Sequence, residues 1–191
     1  MDGKAGLRKR LRAARRAHVA ALPEATRALL FMRPPRAVVE TIPPRAVVGV
    51  YAETPEEAPA TRYARWLFEQ GHPIALPWFA DRGAAMGFRA WDNPFDAESL
   101  ELGPWGVRQP PADAAPLTPQ VAFVPLVGFT AAGARLGMGA GHYDRWLAAH
   151  PACTAIGLAW DCQEVPFLPT EPHDRPLAAV ITPTRLYGPF A

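Results

Sequence analysis

Between Arg135 and Trp146 the sequence reads RLGMGAGHYDRW, with Gly137, Gly139 and Gly141 at alternate positions just ahead of a helix-periodic stretch. Glycine lets a backbone take conformations closed to other residues and approach a ligand without Cβ interference. Placed before a helix, such a loop aims its amide N–H groups and the positive end of the helix dipole at one spot, a site for phosphate oxygens. Arg135 and Arg145 add positive charge to the same stretch. A tight strand-to-helix connection would use the same glycines without any ligand, and the loop alone does not separate the two readings. Asp144 falls in the first helical turn, where the dipole stabilises a carboxylate whatever its function. Lys4 and Arg8 lie four residues apart and therefore share a helix face. Both cationic heads could reach one phosphate, or both could belong to a solvated basic face. Glu57 follows Tyr51 by six residues at the carboxyl end of an apolar run, while Thr54-Pro-Glu-Glu57 also spells a local capping box.

The elements that must position these residues are readable from periodicity. Residues 4–21 form an amphipathic helix with Leu7, Leu11 and Ala14 on one face. Pro34, Pro35, Pro43 and Pro44 make residues 33–45 a loop-rich connector. The β-branched run 46–51 suits a strand buried on both faces of a parallel sheet. A helix over 59–70 presents Tyr63, Trp66 and Leu67 and ends at Gly71. Strands follow at 72–76 and, half-exposed, at 86–91; residues 94–119 are mostly loop because Pro104, Pro110, Pro111 and Pro116 break periodicity. The strongest apolar strand, 121–124, runs through the glycine loop into a helix over 142–149, and 155–158 and 177–181 are two more buried strands. This alternation predicts an α/β fold, a single layered domain over 1–191 with a mostly parallel central sheet flanked by helices, Rossmann-like. Ligands favour the carboxyl ends of strands in such sheets.

Composition narrows the classes. With 49% hydrophobic and 20% charged residues the chain is neither disordered nor membrane-embedded. It carries no apolar run of the roughly 20 residues a bilayer span needs, and residues 1–20 lack a secretory apolar stretch, so a cytoplasmic location is expected. A net charge of +2 does not argue for nucleic acid, although Lys4, Arg8, Lys9, Arg10, Arg12, Arg15 and Arg16 crowd the first twenty residues. Lys9, Arg10 and Arg12 fit a solvated face. Cys153 and Cys162 are not closely paired and read as buried, reduced thiols. No Ser-His-Asp or Cys-His arrangement stands out.

The segment RLGMGAGHYD resembles the signature Arg-Leu-Gly-x-Gly-x-Gly-Tyr-Tyr-Asp of the 5-formyltetrahydrofolate cyclo-ligase family, also called methenyltetrahydrofolate synthetase, departing from it at His142. Further likeness lies in Lys4-Ala-Gly-Leu-Arg8, in VVGVYAETPEE ending at Glu57, in VAFVPLVGFTAAGARLG ending at Gly137, and in AIGLAWDCQEVPFLPTEPHDRPLAAVIT starting at Ala155. It covers nearly the whole chain.

The resemblance implies an ATP-dependent ring closure of 5-formyltetrahydrofolate, with or without a polyglutamate tail, to 5,10-methenyltetrahydrofolate; a monomer is expected, and composition and charge predict no membrane or nucleic-acid partner. By the same resemblance Lys4, Arg8, Arg135, Gly137, Gly139, Gly141, His142 and Tyr143 bind ATP, Lys4 and Arg135 also serve catalysis, and Glu57 contacts folate. Asp144 and Asp174 then hold Mg2+, a cation that shares carboxylates with substrate phosphates; Asp174 on its own reads as a polar loop residue, and His173 as a loop hydrogen-bonder. Trp78 and Gln109 also depart from the family pattern. Trp78, Phe79, Trp91 and Trp105 are candidates either for stacking on a pterin or for the core. The alternatives are a cyclo-ligase-like ATP-binding protein with an altered substrate or no turnover, and a nucleic-acid-binding protein using the basic helix.

Overall fold

The computed structural model describes residues 3–171 and 175–190. Three helices lead: α1 (Lys4–Ala21), α2 (Glu24–Leu29) and α3 (Arg36–Val39). There follow β1 (Val48–Gly49), α4 (Ala60–Glu69), β2 (Ile74–Trp78), β3 (Gly87–Ala90) and the paired β4 (Glu101–Leu102) and β5 (Arg108–Gln109). The second half holds β6 (Val121–Pro125), the paired β7 (Gly128–Phe129) and β8 (Arg135–Leu136), α5 (His142–Ala149), β9 (Thr154–Leu158), a 3-10 turn at Asp161–Gln163, β10 (Ala179–Ile181) and β11 (Leu186–Tyr187).

Seven strands make one sheet in the order β11-β10-β9-β6-β1-β2-β3. The five inner strands are parallel; β3 and β11 close the two edges antiparallel. Side chains alternate across the pleat, so Val121 and Phe123 join the core on one face while Ala122 and Val124 join the core on the other. Helix α4 covers the first face with Tyr63, Ala64 and Leu67, and α5 covers the second with Trp146 and Leu147. No described helix is long and apolar enough to cross a membrane.

Several local expectations change. The buried stripe of α1 is Leu7, Leu11, Arg15 and Val19, spaced four apart, and Ala14 is exposed. A strict four-residue step favours Arg15 over Ala14, and its charge concealed that position from a hydrophobic reading. The connector 33–45 contains the short α3, begun after Pro35, where a proline costs no helical hydrogen bond. Residues 94–119 contain the β4–β5 hairpin, turned at Gly106 with φ +73°. Two-residue strands carry too little alternation to be seen in sequence. The run 46–51 narrows to β1, yet the Val48 and Val50 N–H groups still donate to Pro73 O and Ala75 O, each at 2.9 Å. Both cysteines are free and half-buried, and burial pushes the Cys153 thiol up to about 12, away from reactivity.

At Gly157 in β9 a Cβ would lie 2.6 Å from Leu126 Cδ2 and 2.8 Å from Leu177 Cδ1. Gly157→Ala is therefore expected to destabilise the fold by about 1–3 kcal/mol through overpacking, measurable as a lower urea midpoint with unchanged m-value.

Candidate active site

From β1 the chain moves toward β2, and from β6 toward β9, so the neighbours β1 and β6 form a topological switch point, where α/β sheets place ligands. A cavity of about 440 Å3 opens there, past the carboxyl ends of β1, β2 and β6 at Tyr51, Pro77 and Pro125. The start of α1, the β4–β5 hairpin and the glycine loop supply the rest of its wall.

Gly139 and Gly141 take φ of +113° and +67°, conformations that strain other residues. Gly141 precedes α5, whose first amides have no intrahelical acceptor. Arg8 Nε donates to Gly137 O at 2.9 Å, and Arg12 Nη2 to Met138 O at 2.8 Å. These two bonds tie the loop to α1, so Arg12 leaves the solvated set in which sequence reading put it. Lys4 and Arg8 both line the cavity, Lys4 beside Glu171 at 3.0 Å. Arg135, which is buried, hydrogen-bonds Asp144. That pair neutralises itself, as Lys4 and Glu171 do, which leaves Arg8 and the loop amides as donors without a carboxylate partner among these contacts. Asp144 lines the cavity; Asp174, its expected companion, lies outside the described residues, as does His173. Among the described residues no three His, Cys, Asp or Glu side chains gather as a metal cage.

Three glutamates compete for the carboxylate role, and hydrogen bonding sorts them. Glu53 Oε2 accepts from Thr61 N at 3.1 Å and Thr61 Oγ1 at 2.7 Å, serving the start of α4; burial raises its pKa, partly offset by those bonds. Glu56 points to Arg15 at 3.9 Å. Glu57 lines the cavity, with Oε2 accepting from Thr54 N at 2.9 Å and Thr54 Oγ1 at 3.1 Å, and Oε1 3.7 Å from Arg15 Nη1. The local capping box is present through Oε2, while Oε1 faces Arg15 and makes no hydrogen bond to Thr54. The Tyr143 hydroxyl is buried without a partner, and burial together with Glu57 drives its pKa far upward, so it stays a proton donor.

An aromatic corner completes the wall. The His142 ring lies 4.8 Å from Phe79 and 5.3 Å from Trp105, between centroids. Gln109, buried at the base of the hairpin, accepts from Phe79 N at 3.2 Å and donates to Phe79 O at 3.1 Å, fastening hairpin to sheet. Of the aromatic candidates only Phe79 and Trp105 line the cavity. Trp78 packs under Arg89, whose Cζ is 4.1 Å from the ring centroid, and Trp91 is core. Sequence reading missed the tasks of Arg12, Arg15 and Gln109; the fourfold spacing of Leu7, Leu11 and Val19 was the one signal for Arg15.

A family model described as the 5-formyltetrahydrofolate cyclo-ligase family matches residues 1–183. The chain belongs to that family. A 5-formyltetrahydrofolate cyclo-ligase from Escherichia coli is 48% identical over 69 residues, 35% of this chain and 38% of that protein. One from Mycolicibacterium smegmatis is 34% identical over 125 residues, 62% of this chain and 64% of that protein. The aligned stretches thus span less than two thirds of these relatives. Two solved 5,10-methenyltetrahydrofolate synthetases share the fold. The Aquifex aeolicus protein superposes with TM-score 0.63 at 22% identity, over 97% of this chain and 92% of that one. The Mycoplasma pneumoniae protein gives TM-score 0.64 at 21% identity, over 95% and 98%.

In this member of the family His142 stands where the signature has tyrosine. A guanidinium only donates, so Arg145 Nη2, 3.1 Å from His142 Nδ1, makes that nitrogen the acceptor and leaves the proton on the buried, unpartnered Nε2. Burial first and the Arg145 charge second lower the His142 pKa. A histidine depressed in the folded state contributes stability that is present above the unfolded value, about 6.5, and lost as pH falls through the folded one. His142→Phe keeps the ring but cannot charge. Its melting temperature should gain on the wild type as pH drops from 7 to 5, a difference readable by calorimetry.

Proposed function

We propose that this chain catalyses the ATP-dependent cyclisation of 5-formyltetrahydrofolate to 5,10-methenyltetrahydrofolate, releasing ADP and phosphate. The observation that carries this reading is one cavity lined both by a glycine loop, Lys4 and Arg8, which suit phosphate, and by Glu57, Phe79 and Trp105, which suit a flat, hydrogen-bonding ring. Its 440 Å3 falls within the roughly 300–1,000 Å3 typical of small-molecule sites. Family membership supports ATP as the co-substrate.

In the proposed reaction the formyl oxygen attacks the γ-phosphorus of ATP and displaces ADP, making an imidate-like phosphate whose oxygen is now a good leaving group. The folate's 10-position nitrogen closes the ring and phosphate departs. This chemistry needs alignment and charge neutralisation more than a covalent nucleophile. The amides of the loop and α5, with Lys4 and Arg8, would hold the transferring phosphoryl group; Arg135 would orient Asp144, and Glu57 would hold the folate ring. Asp144 suits Mg2+, which takes one or two carboxylates and completes its shell with phosphates and water. Bound there, the ion would neutralise charge on the γ-phosphate.

The test follows the conjugated methenyl product by absorbance with purified protein, 5-formyltetrahydrofolate, Mg2+ and ATP, omitting each in turn. A rise that requires both ATP and folate is expected; ATP binding without a rise would favour an altered substrate or a binding role. Lys4→Ala should lower ATP-dependent turnover by about 10-fold or more, the scale of one charge-assisted contact. Its stability should change by no more than about 1 kcal/mol, because the Lys4–Glu171 pair is partly exposed. Unchanged kinetics would remove Lys4 from the phosphate site.

A further inference from the structure

Arg15 occupies the α1 stripe between Leu11 and Val19 with 4% of its side chain exposed. A guanidinium holds its charge at every accessible pH and carries five planar N–H donors, so its burial needs compensating carboxylates. Compensation here is loose. Nη1 stands 3.7 Å from Glu57 Oε1 and Nη2 3.9 Å from Glu56 Oε2, beyond hydrogen-bond range. Arg15 Nε and Nη1 are buried without hydrogen-bond partners. The opposing Glu57 side chain is 8% exposed and fastened on one side only, where Thr54 holds Oε2. Glu57 lines the cavity and Arg15 does not, so the guanidinium meets the carboxylate from outside the lining.

A leucine or methionine would continue the stripe equally well, so the charge answers the carboxylates it faces rather than the packing of the helix. We propose that Arg15 is a positioning residue for the folate substrate: its guanidinium, behind Glu57, balances the carboxylate and holds Oε1 open to an N–H donor of the bound ring. This rests on the assignment of Glu57 to folate. One helix then serves both substrates, Lys4 and Arg8 toward phosphate and Arg15 through Glu57 toward folate.

A double-mutant cycle with Glu57→Gln tests it, reading dissociation constants for 5-formyltetrahydrofolate and ATP by equilibrium titration alongside turnover. Arg15→Met should weaken folate binding about 10-fold with ATP affinity within about twofold, and should add less than about twofold once Glu57→Gln is present. Arg15→Lys, which keeps the charge without the plane, should recover part of the loss. An equal loss for ATP and folate, an undiminished loss in the Glu57→Gln background, or no recovery by lysine would overturn the proposal. If Arg15→Met does not fold, Arg15→Lys in both backgrounds decides. A folate loss confined to the Glu57 background supports the role, and no loss or the same loss in both ends it. Wild-type protein that binds ATP but no folate would overturn the functional reading and this inference together, whereas wild-type turnover without coupling overturns Arg15 alone.

Discussion

Helix α1 touches the rest of the molecule through side chains spaced four apart, and the site depends on that contact. Leu7 and Leu11 pack with Val127, Leu136 and Leu168, while Val19 enters the main core. The approach is close at Gly128, where a Cβ would come within 2.5 Å of Leu11 Cδ1. At about 1.5 Å per residue, 18 residues carry the chain some 27 Å. The helix can therefore reach the cavity with Lys4 and the core with Val19. Between these points Arg8 and Arg12 bond carbonyls of the glycine loop, so helix and loop hold each other in place.

Charge around the cavity is arranged in compensated pairs. Arg135 meets Asp144, Arg15 faces Glu56 and Glu57, and Lys4 meets Glu171. Buried ions need such partners, and fixed dipoles aimed at developing charge cost no reorganisation during a reaction. With Arg135 engaged, the loop amides and the start of α5 are left as donors on that wall of the cavity. The substitutions relative to the family signature fit this plan. His142 keeps an aromatic ring against Phe79 and Trp105, and Gln109 satisfies both backbone groups of Phe79, as a sheet neighbour would.

Much of this was legible in the residues themselves. The β-branched run at 46–51, the apolar 121–124 and the glycines before His142 declare their local structure, since backbone propensity and hydrophobic period act over a few neighbours. So did the parallel α/β class, which follows from strands alternating with helices. The family signature, spread over four segments in order, pointed to a cyclo-ligase-like site.

Tertiary structure decided the matters that depend on partners distant in sequence. Thr54 and Glu57 were readable as a box, yet only the turn of the chain at the β1 end brings Glu57 to the cavity wall and its Oε1 to Arg15. Arg12 and Arg15 looked alike in a basic run; the rotation of α1 against the loop sends one to Met138 O and buries the other. Trp78 and Trp105 had equal standing as ring partners until strand pairing put Arg89 over the first and the β4–β5 hairpin carried the second to the cavity. The sequence by itself determined the segments and their chemistry, because those follow from local sterics and residue type. Which charges meet, and which rings line the cavity, came from packing between segments as distant as Lys4 and Glu171.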